Sequence, residues 1–444
     1  MYWIKKRYFV HYNNFTYADR MIKAILIKQK KEFENLIDKP FVERLKMPEA
    51  KKYINSDLVK VVIGPRRAGK SLFTAHLFKD MMPAYVNFDD EQLAKLSDYD
   101  ELIKELHALY GKKKHVLFDE IQNLPDWELF INRLHREGYN ILLTGSNAKL
   151  LSKELATSLT GRHIPLEILP FSLREYLMAK KFVFDESLLV LPEHKGELLH
   201  HVRDYLKNGG FPELVVKNLE PSGYLDTLLD SLLFKDIVQR HKLRLSEKMY
   251  DLELYFINNF ASEFSYRKLA HILGFASVST LEKFVKYLEE AYLVYVLSRY
   301  SYKAGERLAS PKKAYMVDNG YICAKAVQAM SNDGKLMENL VFSELVKMGY
   351  KPNHDLFYYK TRNNKEVDFV LKDGLKIKML IQVAYDLDGY GTRERETKAL
   401  LEASGELRCD ALLILTWDHE SETEVQGKKI IFLPVWKWLL ETKG

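Results

Sequence analysis

The chain has 444 residues, of which 47% are hydrophobic and 12% aromatic, as expected of a folded protein and not of a disordered one. Its 67 basic and 61 acidic side chains leave a net charge of +6, an excess too small for this length to indicate nucleic-acid binding by itself. The length exceeds what one hydrophobic core supports, so two to four domains are expected.

The cysteine content and the hydropathy favour a cytoplasmic protein. Cys323 and Cys409 are isolated in the sequence, which excludes a cysteine-based metal site and indicates a reducing compartment. No apolar run approaches the roughly 20 residues that a membrane span requires, and the aromatic, basic N-terminus lacks the apolar core of a signal peptide. We therefore expect cytoplasmic localisation and no membrane contact.

The first 37 residues fall into two parts. Residues 1–20 have no usable periodicity and are predicted to form an extension, whereas residues 21–37 have the spacing of an amphipathic helix that ends before Pro40. Two interpretations of Met21 remain open: it is the natural start of the folded unit, or it is an ordinary internal methionine.

A strand that leads into a glycine-rich turn is the most informative segment of the chain. The apolar run 58–63 is followed by the spacing Gly-x4-Gly-Lys-Ser of a P-loop. The glycines allow backbone N–H groups to point at a phosphate, Lys70 places a charge against the β- and γ-phosphates, and the Ser71 hydroxyl can complete the shell of a Mg²⁺ ion. The alternative is a strand-to-helix turn without a ligand. The candidate nucleotide-binding residues are Gly64, Pro65, Arg66, Arg67, Ala68, Gly69, Lys70, Ser71 and Leu72.

Two acidic residues follow a later apolar strand. The run 115–118 ends in Asp119 and Glu120. Ligand-binding residues of open α/β sheets collect at the carboxyl ends of the strands. We therefore predict that Asp119 holds Mg²⁺ together with Ser71, and that Glu120 is the general base that activates the attacking water.

The next strand, 140–143, ends in the small polar residues Thr144-Gly145-Ser146-Asn147. Ser146 or Asn147 could sense the γ-phosphate or position water, but the same residues could form the N-cap of a helix over 148–156. Arg162 precedes the strand 163–168 and is a candidate arginine finger, acting within its own chain or toward a neighbouring subunit. The alternation of strands 58–63, 84–88, 115–118, 140–143 and 163–168 with helical segments predicts a parallel sheet covered by helices.

The central part of the chain is predicted to be helical and then to form a winged helix. Residues 175–245 have helical patterns interrupted by a turn at 208–212, and residues 246–322 show three short helical patterns and two strands. Glutamates on the last of these helices weaken its positive field, so double-stranded DNA and a protein remain alternative partners. The candidate contact residues are Ser277, Ser279, Thr280, Lys283 and Lys286 on that helix and Arg299, Lys303, Arg307, Lys312 and Lys313 in the wing.

The C-terminal section carries Glu338 on a predicted helix and Asp368 on a predicted strand. Their spacing resembles that of the acids that hold Mg²⁺ in the core of PD-(D/E)xK nucleases. Gln382 stands where a second acid is expected, however, and Ala384 where a lysine is expected. We expect a nuclease-like fold that serves DNA binding or assembly, and DNA cleavage only if adjacent residues substitute. Those residues are Lys360 and Glu366.

Several motifs together resemble a group of archaeal and bacterial AAA-type ATPases, in which a winged helix and a C-terminal domain of uncharacterised function follow the ATPase. The motifs are Pro65–Arg67, Phe118–Gln122, Leu143–Asn147, Leu159–Arg162, Leu169–Glu175 and Gly209–Glu213. The resemblance implies ATP and Mg²⁺ as ligands. It also implies that Glu120 is the catalytic acidic residue and that Ser146 or Asn147 is the sensor. With Lys70 and the candidate arginine finger, the predicted catalytic set is Glu120, Lys70, Asn147 and Arg162.

These observations predict an α/β fold in which a P-loop AAA-type parallel sheet with a helical lid is followed by a winged helix and a restriction-endonuclease-like domain. The predicted segments are an extension (1–20), the ATPase domain (21–180), a lid or linker (181–245), the winged helix (246–325) and the nuclease-like domain (326–444). The predicted function is Mg²⁺-dependent ATP binding and hydrolysis that controls a DNA- or protein-binding C-terminal half. A nucleotide-gated binding switch with negligible turnover and an ATP-regulated DNA nuclease are the alternatives, and a homo-oligomer is left open.

Overall fold

The computed structural model describes residues 21–96, 98–146, 161–326, 332–387 and 391–441. The predicted extension 1–20 and the predicted helix 148–156 therefore lie outside the described residues. The chain divides into two compact units, Met1–Leu169 and Pro170–Gly444.

The first unit is built around a five-stranded parallel sheet with the order β2-β3-β4-β1-β5. The five strands predicted from the sequence are present, with ends that differ by one or two residues. The strands are β1 (Val59–Ile63), β2 (Ala84–Asn87), β3 (His115–Asp119), β4 (Asn140–Gly145) and β5 (His163–Glu167). The helices are α1 (21–37), α2 (Met47–Lys51), α3 (Lys70–Phe78), α4 (Tyr99–Tyr110) and α5 (Trp127–Arg136), with 3₁₀ turns at Lys79–Met81, Leu93–Lys95 and Ile121–Asn123.

Alternate side chains of β1 enter two hydrophobic cores, one on each face of the sheet. Val61 and Ile63 pack in a cluster with residues of α1, α4 and α5, whereas Val62 packs in a second cluster with residues of α3. Burying one such side chain contributes roughly 1.5–3 kcal/mol. Because both faces are covered by helices, the strand is apolar at nearly every position, the exception being Lys60.

The parallel register gathers three loops at one edge of the sheet. Ile63 is level with Gly145 on β4, and Phe118 of β3 is level with Leu143 of the same strand. The residues that follow β1, β3 and β4 therefore emerge side by side at the carboxyl edge, where open α/β sheets bind their ligands.

Strand β2 lies at the other end of the sheet order from β5, and a side chain of α1 pairs with it. The Gln29 amide nitrogen donates to the carbonyl of Asn87 at 2.8 Å, and the Asn87 N–H donates to the Gln29 amide oxygen at 3.0 Å. This pairing satisfies main-chain groups that an edge strand otherwise exposes.

The second unit begins with helices and continues with two sheets. Strands β6, β8 and β7 form a three-stranded antiparallel sheet, and a six-stranded mixed sheet has the order β13-β14-β12-β11-β10-β9. No helix in the described ranges is both long and apolar enough to cross a membrane. The helices are α6 (Leu173–Ala179), α7 (Pro192–Asn208), α8 (Pro212–Lys217), α9 (Pro221–Ser231), α10 (Ser246–Asn258), α11 (Tyr266–Ile272), α12 (Val278–Glu290), α13 (Ala304–Ala309), α14 (Asn319–Lys325), α15 (Asp333–Lys347), α16 (Thr392–Leu407) and α17 (Val435–Glu441), with a 3₁₀ turn at Glu186–Val190 and a π-helical segment at Leu232–Gln239. The strands are β6 (Ser262–Phe264), β7 (Val294–Ser298), β8 (Lys312–Met316), β9 (Leu356–Lys360), β10 (Glu366–Asp373), β11 (Lys376–Ala384), β12 (Leu412–Thr416), β13 (Ser421–Val425) and β14 (Lys428–Pro434).

Two of the sequence motifs meet in a buried junction of this second unit. The N–H of Phe171 donates to the carbonyl of Gly210 at 2.7 Å, and the N–H of Gly210 donates to the Asp318 carboxylate at 2.9 Å. A Cβ at Gly210 would lie 2.3 Å from the Phe171 carbonyl oxygen, and one at Gly209 would lie 1.6 Å from an oxygen of Asp318. The paired glycines are therefore required by packing.

Candidate nucleotide-binding site

The first glycine of the P-loop is required by a close main-chain contact. Gly64 has φ +147°, and a Cβ on it would lie 2.0 Å from the carbonyl oxygen of Ile168. The N–H of Ile168 in turn donates to the carbonyl of Ile63 at 2.8 Å. The second glycine, Gly69, has φ +89° in the left-handed region and precedes the first turn of α3.

Lys70 is buried inside the loop, and its ammonium group donates to the carbonyl oxygens of Gly64 at 3.1 Å and Pro65 at 3.0 Å. A buried ammonium group at the N-terminus of a helix suits the terminal phosphates of a nucleotide. Arg66 is half-buried and Arg67 is exposed, and both have electrostatic or hydrogen-bonding partners.

Arg44 is a residue of this site that the sequence interpretation missed. Its guanidinium group is buried and donates to the carbonyl of Ala68 in the P-loop at 2.9 Å and to the carbonyl of Leu169. One side chain therefore joins the P-loop to the segment that follows β5. A single arginine outside any periodic pattern gave no signal that could have singled it out.

Asp119 lies at the end of β3 and is buried. It accepts hydrogen bonds from the hydroxyl groups of Thr144 and Tyr85, the latter at 3.3 Å. Burial and the adjacent Glu120 raise the pKa of Asp119, although the hydroxyls of Thr144 and Ser71 lower it. A cation bound beside Ser71 would favour the charged carboxylate further.

Glu120 has a left-handed backbone conformation, with φ +51°. A residue other than glycine pays about 1–3 kcal/mol for such a conformation, and residues of this kind concentrate at functional sites. Its N–H donates to the Thr144 hydroxyl oxygen at 3.0 Å, and its carboxylate accepts from the Gln122 amide. Thr144 therefore contacts both acidic residues, which fixes the turn between them.

Ser146 supplies an unpaired hydroxyl group at the same edge of the sheet. It is buried, and its Oγ has no hydrogen-bond partner among the residues that the structure describes. A buried hydroxyl without a partner is costly, and a phosphate oxygen or an ordered water would satisfy it. Asn147, the other candidate sensor, lies outside the described residues, so its alternative role as a helix cap does too.

The donor set of this edge fits Mg²⁺ and a nucleotide triphosphate. Asp119 and Ser71 offer a carboxylate and a hydroxyl that interact with each other, and Lys70 directly precedes Ser71 at the start of α3. Oxygen ligands of this kind, few in number and completed by water and phosphate, are those that Mg²⁺ takes in nucleotide sites.

Arg162 lies at the opposite edge of the sheet from the P-loop. Its carbonyl accepts from the N–H of Val59 at the start of β1, and its side chain is exposed. The five-residue strand β1 separates it from the loop by roughly 13 Å of strand length at 3.3 Å per residue. The structure does not bring Arg162 together with the site of its own chain, so a role within the chain has no support.

Three family models match the chain: an AAA domain over residues 56–177, and domains of unknown function over residues 199–332 (DUF8612) and 333–438 (DUF4143). An uncharacterised protein of Methanocaldococcus jannaschii is 35% identical over 94% of this chain and 98% of its own length. An uncharacterised protein of Haemophilus influenzae is 30% identical over 87% of this chain and 95% of its own length. This chain belongs to their family. Its residues 56–177 form a P-loop AAA-type domain, called the AAA domain below.

Among solved structures, the chain is similar to the Walker-type ATPase PABY2304 of Pyrococcus abyssi, with 15% identity and a TM-score of 0.40. The match covers 64% of this chain and 95% of that one. A TM-score below 0.5 carries no conclusion about function.

Outside the AAA domain, the predicted acidic residues of the C-terminal section do come together. Glu338 and Asp368 both contact the ammonium group of Lys313, at 2.8 and 3.6 Å, and the N–H of Asp368 donates to the Gln382 amide oxygen at 3.2 Å. Ala384 is buried at the end of β11. Within the described part of the chain, no group of three or more His, Cys, Asp or Glu residues has the arrangement of a metal site.

The predicted basic wing differs from the arrangement in the structure. Lys312 and Lys313 are buried, because both lie on β8, the middle strand of its sheet. Arg299 donates to the carbonyl of Lys360 and Arg307 to that of Ser301. The exposed cation in this stretch, Lys303, pairs with Glu306 at 3.1 Å. Lys312 and Lys313 are therefore not accessible as contact residues of a wing, contrary to the expectation from the sequence.

The helix expected to contact DNA is α12. Its exposed face carries Ser279, Lys283 and Lys286 together with the acidic Glu282, whereas the Ser277 hydroxyl accepts from the N–H of Thr280 and caps the helix. The face is therefore mixed in charge.

Proposed function

We propose that this protein binds and hydrolyses ATP in the AAA domain with the help of Mg²⁺. The observation that carries the proposal is the hydrogen bonding of Thr144 to both Asp119 and Glu120, on the strand that leads to Ser146, whose hydroxyl has no partner among the described residues. A protein that only binds nucleotide has no need of a second acid held in a strained conformation at this edge.

In the proposed mechanism, Lys70 and the N–H groups of the P-loop hold the β- and γ-phosphates in position. Ser71 and Asp119 would hold Mg²⁺, which would neutralise part of the phosphate charge. Glu120 accepts the proton of the attacking water, and its left-handed backbone conformation fixes the origin of its side chain. The Ser146 hydroxyl donates to the γ-phosphate or to this water, and Asn147 is proposed to assist it.

We further propose that the nucleotide state controls the C-terminal half. The support comes from two contacts of the P-loop with the segment after β5: Gly64 lies against the Ile168 carbonyl, and Arg44 bridges the carbonyls of Ala68 and Leu169. The chain enters its second unit at the next residue, Pro170. A change in the P-loop on phosphate binding would therefore act directly on the residues at the end of the first unit.

For the second unit we propose a lid or linker over 181–245, a winged helix over 246–325 and a nuclease-like domain over 326–444. The support for the winged helix is the order α10, β6, α11, α12, β7 and β8, with β8 between β6 and β7 in an antiparallel sheet and the short helix α13 inserted between β7 and β8. The support for the nuclease-like domain is the order helix α15, strands β9 to β11, helix α16 and strand β12, with β12 parallel to β11.

Of the two candidate partners, a protein has more support than double-stranded DNA. Affinity for DNA depends on cations that neutralise phosphates, and in the wing Lys312 and Lys313 are buried while Lys303 is paired. The same stretch exposes two large apolar side chains, Tyr302 and Leu308, which are 68% and 81% exposed. Such side chains suit a protein surface better than a phosphate backbone.

The experiment that tests the ATPase proposal compares the steady-state ATPase rate of the wild type with those of Lys70→Ala and Glu120→Gln. We expect Lys70→Ala to lose nucleotide binding and Glu120→Gln to bind ATP but hydrolyse it at least 100-fold more slowly, because the general base is removed. Lys112→Ala, which changes an exposed lysine of the same domain, is the matched control. If the wild type hydrolyses ATP no faster than Lys70→Ala, the hydrolysis proposal fails and the nucleotide-gated binding switch takes its place.

Each rate is also measured with double-stranded DNA added. Stimulation by DNA, abolished in Lys283→Glu/Lys286→Glu, would favour DNA as the partner. An unchanged rate would leave a protein partner as the proposal.

A further inference from the structure

Lys313 lies at the centre of the acidic cluster of the second unit. Its ammonium nitrogen is 2.8 Å from Glu338, 2.6 Å from Glu366 and 3.6 Å from Asp368, and its side chain is 2% exposed. The Tyr315 hydroxyl donates to the same oxygen of Glu338 at 2.7 Å. Three carboxylates from two elements, α15 and β10, thus surround one cation supplied by a third, β8.

Several neighbouring polar groups of this centre also have partners within the described chain. The N–H of Val383 donates to the second oxygen of Asp368 at 2.9 Å. The Gln382 amide nitrogen donates to Glu396 at 2.6 Å. Lys360 donates to Glu263 at 2.6 Å and lies 3.7 Å from Glu366, so it adds a second cation at the rim.

Lys313 cannot leave this centre by a simple rotation of its side chain into water. It lies in the paired part of β8, level with Glu263 on β6 and with Leu297 on β7, and β8 is the middle strand. Breaking a buried ion pair by removing one partner leaves uncompensated charge, which is strongly unfavourable. The ammonium group is therefore a fixed part of the site.

We propose that Lys313 is a permanent internal counter-ion that fills the cation position of this cluster, so that the centre joins the three-stranded sheet to the mixed sheet and does not bind a divalent metal. A divalent cation shared by the same carboxylates would need the position that the ammonium group takes. The Gln382 amide is neutral, so it contributes no negative charge to a metal site. Its oxygen and nitrogen are already hydrogen-bonded to the main chain of Asp368 and to Glu396. The cluster then has a mechanical role, and the nuclease alternative loses its metal.

The test measures Mn²⁺ binding by electron paramagnetic resonance in the Ser71→Ala background, which removes the proposed metal ligand of the P-loop. With Lys313 present, we expect that no bound Mn²⁺ depends on Asp368, so that adding Asp368→Asn leaves the amount of bound Mn²⁺ unchanged. With Lys313→Met, we expect one additional Mn²⁺ per chain, a higher melting temperature on Mn²⁺ addition, and loss of both effects when Asp368→Asn is added.

Two metal-binding results would each overturn the proposal, and so would DNA cleavage that depends on Asp368. One is Mn²⁺ binding by the chain with Lys313 that Asp368→Asn removes, a measurement that does not require the Lys313 variant to fold. The other is a folded Lys313→Met variant without additional Mn²⁺. Plasmid DNA incubated with the wild type and Mg²⁺ or Mn²⁺ should remain intact, and nicking that Asp368→Asn abolishes would contradict the proposal. None of these readouts depends on ATP hydrolysis, so the two proposals can fail separately.

Discussion

A buried carboxyl group in α10 should make the stability of the second unit depend on pH. Glu253 is 1% exposed, and neither of its carboxylate oxygens has a hydrogen-bond partner within the described chain. The ammonium group of Lys325 is 4.0 Å away and bonds to Asp230 at 2.6 Å instead. Burial raises the pKa of Glu253 from 4.5 to about 7, against the attraction of Lys325.

The sign and size of the effect follow from linkage. Between pH 4.5 and 7 the folded chain holds a proton on Glu253 that the unfolded chain has lost, so stability falls as pH rises through this window. The shift of about 2.5 pKa units corresponds to about 3 kcal/mol at 1.36 kcal/mol per unit. Glutamine is neutral at every pH, so Glu253→Gln should remove this cost above pH 7 and change little near pH 4.5.

Differential scanning calorimetry of the full chain at pH 5 and pH 8 measures this difference. At roughly 2 °C per kcal/mol for a large domain, we expect Glu253→Gln to raise the melting temperature of the transition that contains α10 by about 6 °C at pH 8 and by much less at pH 5. Asp251→Asn, an exposed acid two residues earlier on the same helix, is the matched control and should shift neither. An equal shift at both pH values, or none at pH 8, would refute the assignment of a proton to the folded-state carboxyl group.

Three further predictions concern the loops and the site. Gly210→Ala should destabilise the chain by about 2 kcal/mol or more in a thermal melt, because its Cβ would lie 2.3 Å from a main-chain oxygen. The control Gly196→Ala, where a Cβ on α7 meets open space, should be neutral or stabilising in the same measurement. Arg44→Met should weaken ATP binding in a fluorescence titration by roughly ten- to a hundred-fold, since each hydrogen bond from a charged group contributes about 1.5–3 kcal/mol. Arg44→Lys should have an intermediate affinity. Unchanged affinity for ATP in both variants would exclude a role of Arg44 in shaping the P-loop. Arg162→Ala and Lys70→Ala should each be inactive as ATPases but regain activity when mixed, if Arg162 acts on a neighbouring subunit; full activity of Arg162→Ala alone would remove the arginine from the mechanism.

The AAA domain could be predicted from the sequence because its local signals and its sheet topology agree. Each predicted strand is a short apolar run, and parallel strands necessarily bring their carboxyl ends to one edge. The residues after β1, β3 and β4 could therefore be grouped before any coordinates were known. The requirement for glycine at position 64 has a cause that the sequence does not show, however, because the Ile168 carbonyl it contacts lies just after β5, more than a hundred residues later.

The residues that could not be predicted have partners set by tertiary structure. Arg44 bonds to two main-chain carbonyls, and a main-chain acceptor leaves no mark on the sequence. Lys313 was interpreted as a cation of the wing because its charge is visible in the sequence while the burial of β8 is not. Glu338, Asp368 and Gln382 were grouped correctly by spacing, but the cation among them comes from another sheet.

The two polar centres of the chain differ in what they leave unpaired. At the carboxyl edge of the AAA domain, Ser146 has an unpaired buried hydroxyl within the described residues, Glu120 is strained, and Lys70 bonds to neutral carbonyls that a phosphate would replace with a stronger partner. Binding a nucleotide there satisfies groups that the chain leaves incomplete. Around Lys313, by contrast, the charged groups already have fixed partners of opposite sign, so a ligand would gain contacts only by breaking existing ones. The first arrangement suits a site that changes with its ligand, and the second suits a fixed joint between the two sheets of the second unit.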